Sequence, residues 1–392
     1  MGEWKNVRVG ELGKIITGKT PKTSISDNYG GRIPFLTPSD NMSVKYVGKT
    51  SKTLTEKGLL EVKNAILPEN SVCVSCIGSD LGKAVITTCP TVTNQQINSI
   101  IVDEKSFDVS FVYYAMQILG KKMNFISKTS TAVPIVNKSS FSSYEIKCPP
   151  REDQKRIAAV LSALDSKIEC NKKINDNLQQ QLFSLYENMA TASPCLKEYT
   201  LSNLCDFQEG YVNPPQTHPE YFDGEVKWLR AVDINESFII ETSRTLTKAG
   251  FESAKKSALL FEPNTIAISK SGTIGRLGII ADYMCGNRAV INIAPHDTNM
   301  LAFIYCFLKS KQREFPDMAV GSVQKNLYVS LLEPLSVSIP DNESLTAFNA
   351  VGASILGMIH NNCVENTDLA NLRDTILPKL MSGEIDVSSV LL

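Results

Sequence analysis

No apolar run in this chain approaches the ~18 residues needed to cross a bilayer, and no secretory leader precedes Trp4, so the sequence reads as cytoplasmic with no membrane partner. Charge of one sign is also missing. The 40 Lys and Arg against 41 Asp and Glu leave a net charge of −1, which carries no global signature of a polyanion ligand. Histidine is scarce. The three present, His218, His296 and His360, form no local constellation, and neither an HExxH nor a GxxxxGKS or GxxxxGKT phosphate loop occurs. These absences leave no catalytic residue and no metal-ligand set to nominate. The ten cysteines are scattered, as expected of reduced, buried, small apolar residues. One pair has CxxC spacing, Cys73 and Cys76, but it lies in the alternating run "SVCVSCIG". With no second pair or histidine at ligand spacing, that run reads as a strand.

What is present is a repeat. "TLTEKGL" at 53–59 matches "TLTKAGF" at 245–251, and "FVYYAM" at 111–116 matches "FIYCFL" at 303–308, both at an offset of 192. Gly18, Tyr29 and Asp40 have partners in Gly210, Tyr221 and Asp233. "VSCIGSDLGKAVI" at 74–86 parallels "ISKSGTIGRLGII" at 268–280, and "NQQIN" at 94–98 parallels "RAVIN" at 288–292. One unit used twice predicts a pseudo-two-fold molecule. Each unit reads as mixed α/β (α+β), with many short strands around Pro-bearing extended segments and tight turns. "DVSFVYYAMQILG" and "NMLAFIYCFLKS" read as short helices.

Each globular unit is followed by a longer helical stripe. The first runs Leu161, Leu164, Ile168, Asn171, Asn175, Leu178, Leu182, Leu185. The second runs Phe348, Val351, Ile355, Met358, Asn362, Glu365, Leu369, Leu372, Ile376, and Ile359 and Asn366 repeat Ile168 and Asn175. The spacing predicts two helices paired antiparallel as a coiled coil, with asparagine facing asparagine near mid-rod. Buried amides there fix register and direction at some cost in stability. At 1.5 Å per residue, ~35 residues make a rod of roughly 50 Å. The expected layout is a globular domain over 1–150, a helix over 151–192, a second domain over 193–340, and a second helix with a tail over 341–392. Lys and Arg outnumber Asp and Glu by 18 to 12 in residues 1–150, balance at 6 and 6 in 151–192, and trail by 14 to 16 in 193–340 and by 2 to 7 in 341–392. Two divergent domains held apart by a rod suit a reader of two separated sites on duplex DNA.

At this point a family is visible. "PPREDQKRIAAVLSALDSKIECNKKINDNLQ", the terminal "LRDTILPKLMSGEIDVSSV" and the opening "GKTPKTSISDNYGGRIPFLTPSD" resemble type I restriction–modification specificity subunits over essentially the whole chain. The second half departs from the usual wording at "EGYVNPPQTHPEYFDGEVKWLRAVD", as expected of domains that read different sequences, and at "NESLTAFNAVGASI", which replaces the usual Q-rich helix start and bears only on local capping. The resemblance implies a non-catalytic subunit with two target recognition domains. Each reads one half of an interrupted, asymmetric double-stranded DNA site. The helices set the spacing and dock two modification (methyltransferase) subunits, which restriction (translocase/nuclease) subunits then join. S-adenosylmethionine, ATP and magnesium belong to those partners, so no cofactor is expected in this chain.

"NPPQ" at 213–216 tempts a free-standing adenine methyltransferase reading, but an aromatic is required after the prolines and Gln216 stands there. No Gly-rich turn for S-adenosylmethionine occurs elsewhere. A free-standing methyltransferase or nuclease is the alternative function, and a coiled-coil scaffold unrelated to DNA is a third. Major-groove readout favours Arg or Lys on guanine and Asn or Gln on adenine. The candidates for DNA contact are Lys19, Thr20, Ser79, Lys83, Gln95, Gln96 and Lys128 in the first domain. In the second they are Tyr211, Arg230, Lys270, Thr273, Arg276, Arg288, Gln324 and Lys325.

Overall fold

The computed structural model describes residues 3–128, 135–192, 197–322 and 324–390. Among them are four helices of eleven residues or more: α1 (Val109–Lys128), α2 (Arg151–Ala192), α3 (Leu301–Lys311) and α4 (Asn342–Ser382). The proline pair at 149–150 ends the extended chain and opens α2, where the Pro150 carbonyl accepts from Asp153 and Gln154 N–H. Asp341 caps α4, its Oδ1 accepting from Ser344 N at 2.8 Å. The first short-helix expectation is corrected: α1 runs for 20 residues, because Met123 continues the buried face of Met116 and Leu119. The chain divides into two compact units, residues 1–166 with 369–392, and residues 167–368.

In the first unit, β1 (Gly13–Thr17), β2 (Tyr46–Val47), β3 (Ser71–Ser75), β4 (Ala84–Thr87) and β5 (Ile97–Val102) form a sheet in the order β1-β5-β3-β4-β2. All its pairings are antiparallel except β2 on β4. A four-stranded sheet stands beside it, built from Tyr29–Leu36, Lys52–Leu54, Ile66–Leu67 and Thr91–Thr93. Lys5–Arg8 pairs antiparallel with Glu145–Cys148 and ties the start of the domain to its end. The core gathers Val72, Val74, Ile86 and Ile100 from the sheet and Phe111, Tyr114 and Met116 from α1. Ile157 and Leu161 of α2 join it, with Leu377, Leu380 and Met381 of α4.

The second unit repeats this plan. Strands β6 (Cys205–Glu209), β7 (Phe238–Ile239), β8 (Ile266–Ser269), β9 (Leu277–Ile280) and β10 (Val290–Pro295) take the order β6-β10-β8-β9-β7, again with one parallel edge, β7 on β9. The likeness reaches single atoms. Asp40 accepts from Thr37 N and Ser51 N at 2.8 and 2.7 Å, and Asp233 from Arg230 N and Ser243 N at 2.9 Å each. Gly58 and Gly250 are both required by close approach. A Cβ at Gly58 would meet the Asn28 carbonyl at 2.2 Å, and one at Gly250 the Tyr221 carbonyl at 2.1 Å. One sequence match is corrected. Gly18 N donates to Ile97 O and Gly210 N to Val290 O, so Asn94 corresponds to Asn287 and Gln95 to Arg288, one place off the "NQQIN"/"RAVIN" pairing.

Candidate nucleic-acid interface

Antiparallel pairing brings the end of β1, the start of β5, the end of β3 and the start of β4 to one end of the first sheet. The loops leaving that end carry the first domain's candidates. Gly18 packs against residues 93–94 so closely that a Cβ would meet the Asn94 carbonyl at 2.2 Å. That contact sets Lys19 and Thr20, both exposed, beside the turn holding Gln95 and Gln96. Thr20 Oγ1 donates to Gln95 Oε1 at 2.6 Å, and Asn94 Nδ2 to Gln96 Oε1 at 3.0 Å. Lys83 closes the β3–β4 turn on Asp80 at 2.6 Å. Gly82 crosses Gly120 of α1 with no room for a Cβ on either. Asn124 Nδ2 donates to Leu81 O at 3.2 Å, which brings the last turns of α1 to the same end. The side chains of Ser79 and Lys128 lie outside the described residues.

The second sheet does the same with different chemistry. Tyr211, Lys270, Thr273, Arg276 and Arg288 all follow or precede strands at the corresponding end. Leu327 N donates to Lys270 O, which brings the exposed Gln324 and Lys325 there too. Two candidates are committed internally. Lys270, with its side chain 13% exposed, bonds Glu209 Oε1 at 2.8 Å and lies 4.7 Å over the Tyr328 ring. Arg230 donates to Ser243 Oγ at 2.6 Å and stacks 5.5 Å from Trp228. Tyr211 donates to the other oxygen of Glu209 at 2.9 Å. Thr273 and Arg288 are exposed and Arg276 half-buried. The opposite end of this sheet carries Asp206, Glu262, Asp282 and Asp297. Cations thus gather at one end of this sheet, while at the other Lys227 pairs with Asp282 and His296 lies on Asp206. Exposed cations gathered at one end favour a polyanion there.

Between the helices of the second unit, the asparagines face each other. Asn171 Nδ2 donates to Asn366 Oδ1 at 3.0 Å and to Glu365 Oε2 at 2.7 Å, and its own Oδ1 accepts from Lys167 at 3.1 Å. Asn362 Nδ2 donates to Asn175 Oδ1 at 2.8 Å. Partners whose numbers fall on one helix as they rise on the other make the pair antiparallel. Ile168, Ile355 and Ile359 are buried with Asn171 and Asn175, and Leu164, Leu178 and Leu369 are half-buried. Leu185, Val351, Met358 and Leu372 are 42–49% exposed, against expectation. An α-helix turns in 3.6 residues, so strict seven-residue stepping drifts off the buried face, which here passes through Gly352 and Leu356. The helices also pack on the globular core: Tyr186 of α2 meets Phe303 of α3 and Phe348 of α4 at 5.6 and 6.1 Å.

Three features escaped the sequence reading. Lys45, just before β2, donates to Ser162 Oγ of α2 at 2.7 Å and lies 4.7–5.6 Å from the rings of Tyr46, Tyr113 and Tyr114. Burial pulls its ammonium down to about 8 against the pull of Asp165 and Asp108. Asp165 accepts from Tyr114 Oη at 2.5 Å and pairs with Arg373 at 2.7 Å. Arg244 stacks 4.2 Å over Phe222 and donates to Gln216 Oε1 at 2.9 Å. Only the "YY" pair in "FVYYAM" hinted at the first. The tempting motifs are accounted for as expected. Asn213–Gln216 is a loop, and Cys73 lies in a buried strand where burial pushes its thiol up to about 12. Cys170, by contrast, is exposed. Among the described residues no His, Cys, Asp and Glu cluster is arranged for a metal, and no helix is long and apolar enough to cross a membrane.

The family model for the type I restriction modification DNA specificity domain matches residues 1–180 and again 196–367. The chain belongs to that family. The two matches coincide with the two repeats. This specificity subunit is 26% identical over 414 residues to the type I restriction enzyme MjaIX specificity subunit of Methanocaldococcus jannaschii, covering 99% of this chain and 95% of that one. It is 32% identical over 180 residues to the HindI specificity subunit of Haemophilus influenzae, covering 44% and 39% of the two chains. Its fold is similar to the crystal structure of the type I restriction–modification system S subunit from M. genitalium, with a TM-score of 0.54 and 18% identity, covering 97% and 96%. The family's part in a type I enzyme is DNA specificity, and the chain is not itself catalytic.

Proposed function

We propose that each recognition domain of this specificity subunit reads one half of an interrupted, asymmetric double-stranded DNA site. The observation that supports this is the convergence of the candidates, in both repeats, on the same end of the same sheet. Thr20, Gln95, Gln96 and Lys83 meet there in one domain, and Tyr211, Thr273, Arg276 and Arg288 in the other. Equivalent loops with different side chains are what a duplicated reader of two unlike half-sites requires. Lys270 and Arg230, held by Glu209, Ser243 and Trp228, position these loops, and the exposed groups face the ligand. The helices serve as the spacer between half-sites and as the docking surface for two modification subunits, with restriction subunits joining afterwards. S-adenosylmethionine, ATP and magnesium are assigned to those partners, and the cytoplasm is where the assembly works.

Purification tests this. The chain alone should neither methylate nor cut DNA. Co-expressed with its modification subunit, it should co-purify and confer adenine methylation on genomic DNA that neither protein gives separately. Methyl transfer by the homogeneous chain would overturn the assignment in favour of a free-standing enzyme.

A further inference from the structure

The two domains present one side chain each from the same turn. In the first, Asn94 Oδ1 accepts from Gln96 N at 3.1 Å and its carbonyl from Ile97 N at 3.2 Å. In the second, Asn287 Oδ1 accepts from Ala289 N at 3.0 Å and its carbonyl from Val290 N at 3.1 Å. The asparagine side chain closes the same local turn both times, and the next residue stands at its tip. That residue is Gln95 in one domain and Arg288 in the other, both exposed. Their backbone is therefore fixed by the same bonds, while their head groups differ.

The head groups are also prepared differently. Gln95 Oε1 already accepts from Thr20 Oγ1 at 2.6 Å. That bond orients the amide, leaves both Nε2 hydrogens free, and leaves one lone pair of Oε1 for a further donor. A glutamine so held offers a donor and an acceptor side by side, the pattern that matches N7 and N6 of adenine in the major groove. Arg288 makes no side-chain hydrogen bond or ion pair with any described residue. Its guanidinium offers two parallel donors and no acceptor, the pattern that matches O6 and N7 of guanine. Two other cations at that end are less available, Lys270 being bonded to Glu209 and Arg230 to Ser243; Arg276 is half-buried, and the exposed Lys325 lies outside this turn.

We infer that the tip of this turn is a base-reading position in both domains, with Gln95 reading an adenine in one half-site and Arg288 a guanine in the other. The inference rests on the DNA-recognition reading above and adds the residue and the base. Thr20 is a positioning residue: it acts on DNA only through Gln95.

The test is methylome sequencing of cells that carry the full chain with its cognate modification subunit. Variants Q95R, Q95A, R288Q and R288A are each compared with the wild type. Q95R should change one adenine position of one half-site to guanine and leave the other half-site intact. R288Q should change one guanine of the other half-site to adenine. Each alanine variant should relax that single position, with discrimination falling about 5- to 150-fold, the range a bidentate side-chain–base pair confers. T20V should weaken selection at the Gln95 position and no other. Unchanged motifs in both alanine variants, or loss of all methylation in them, would overturn the assignment of these residues. A wild type that yields no interrupted motif would instead remove the DNA-recognition reading itself, so the two failures are distinguishable.

Discussion

Replacing Asn175 with leucine removes the buried member of an amide pair whose other member, Asn362, is half-buried. Asn175 is 6% exposed, and its Oδ1 accepts from Asn362 Nδ2 at 2.8 Å. Its own Nδ2 reaches only the Ile359 carbonyl and Cys363 Sγ, each at 3.5 Å, the first at the outer limit of a useful bond and the second a weak bond to sulfur. In N175L the half-buried Asn362 donor loses its acceptor, and because solvent reaches it in part the cost falls at the lower end of the about 1–3 kcal/mol of an unsatisfied buried polar group. Added apolar burial offsets part of this at about 0.8 kcal/mol per methylene. A net loss of up to about 1 kcal/mol is expected, or a melting temperature lower by up to roughly 4 °C for a unit near two hundred residues. Changing Asn362 to leucine as well removes both polar partners, and apolar replacement of a complete buried pair is close to neutral or stabilising. The double variant N175L/N362L should therefore be more stable than N175L, with a coupling of about 1–3 kcal/mol. Urea and thermal unfolding of the four proteins measure it. A double variant whose loss equals the sum of the two single losses would refute the claim that these amides act on each other across the helix pair.

Lys45 makes stability depend on pH. Its ammonium titrates near 8 when folded and near 10.5 ordinarily, so between these values the unfolded chain holds the proton that the folded chain has lost. Raising the pH through that window should stabilise the wild type relative to K45M by up to roughly 3 kcal/mol, and a pH-independent difference in urea unfolding would count against it. Asp165→Ala takes the acceptor from Tyr114 and leaves Arg373 with Asp374 alone, and should cost about 1–3 kcal/mol in the same assay; a loss below ~0.5 kcal/mol would show that solvent and Asp374 replace the pair. Exchanging residues 200–335 for the matching region of a relative should change one half of the methylated motif and spare the other, and a change in both halves would refute independent reading.

The duplication was legible because its markers do fixed backbone work. Gly18, Gly58 and Asp40 recur as Gly210, Gly250 and Asp233 because no Cβ fits at the glycines and each aspartate caps the same loop. The seam asparagines were legible for a similar reason: an amide on an apolar stripe needs a partner, and the partner lay one repeat away. Exposed loop positions were not legible to a single residue, since nothing local penalises a shift. The turn at Gln95 was accordingly paired one place off with its counterpart. Val351, Met358, Leu372 and Leu185 were misplaced because a heptad template assumes one facing helix, whereas these helices also face a globular core. Lys45 was invisible, because its three rings come from Tyr46 and from a helix more than sixty residues further along the chain. Lys270 and Arg230 show the limit for charge: sequence shows a cation, and only the fold shows whether an internal partner already holds it.

The central claim is that this chain chooses the DNA sequence for a methylating partner through two independent readers. Methylome sequencing of a host with and without the chain, with its modification subunit present in both, tests it most directly. The account predicts one interrupted, asymmetric adenine-methylated motif that vanishes when the chain is deleted. Methylation that persists unchanged in the deletion, or a continuous uninterrupted motif, would contradict it.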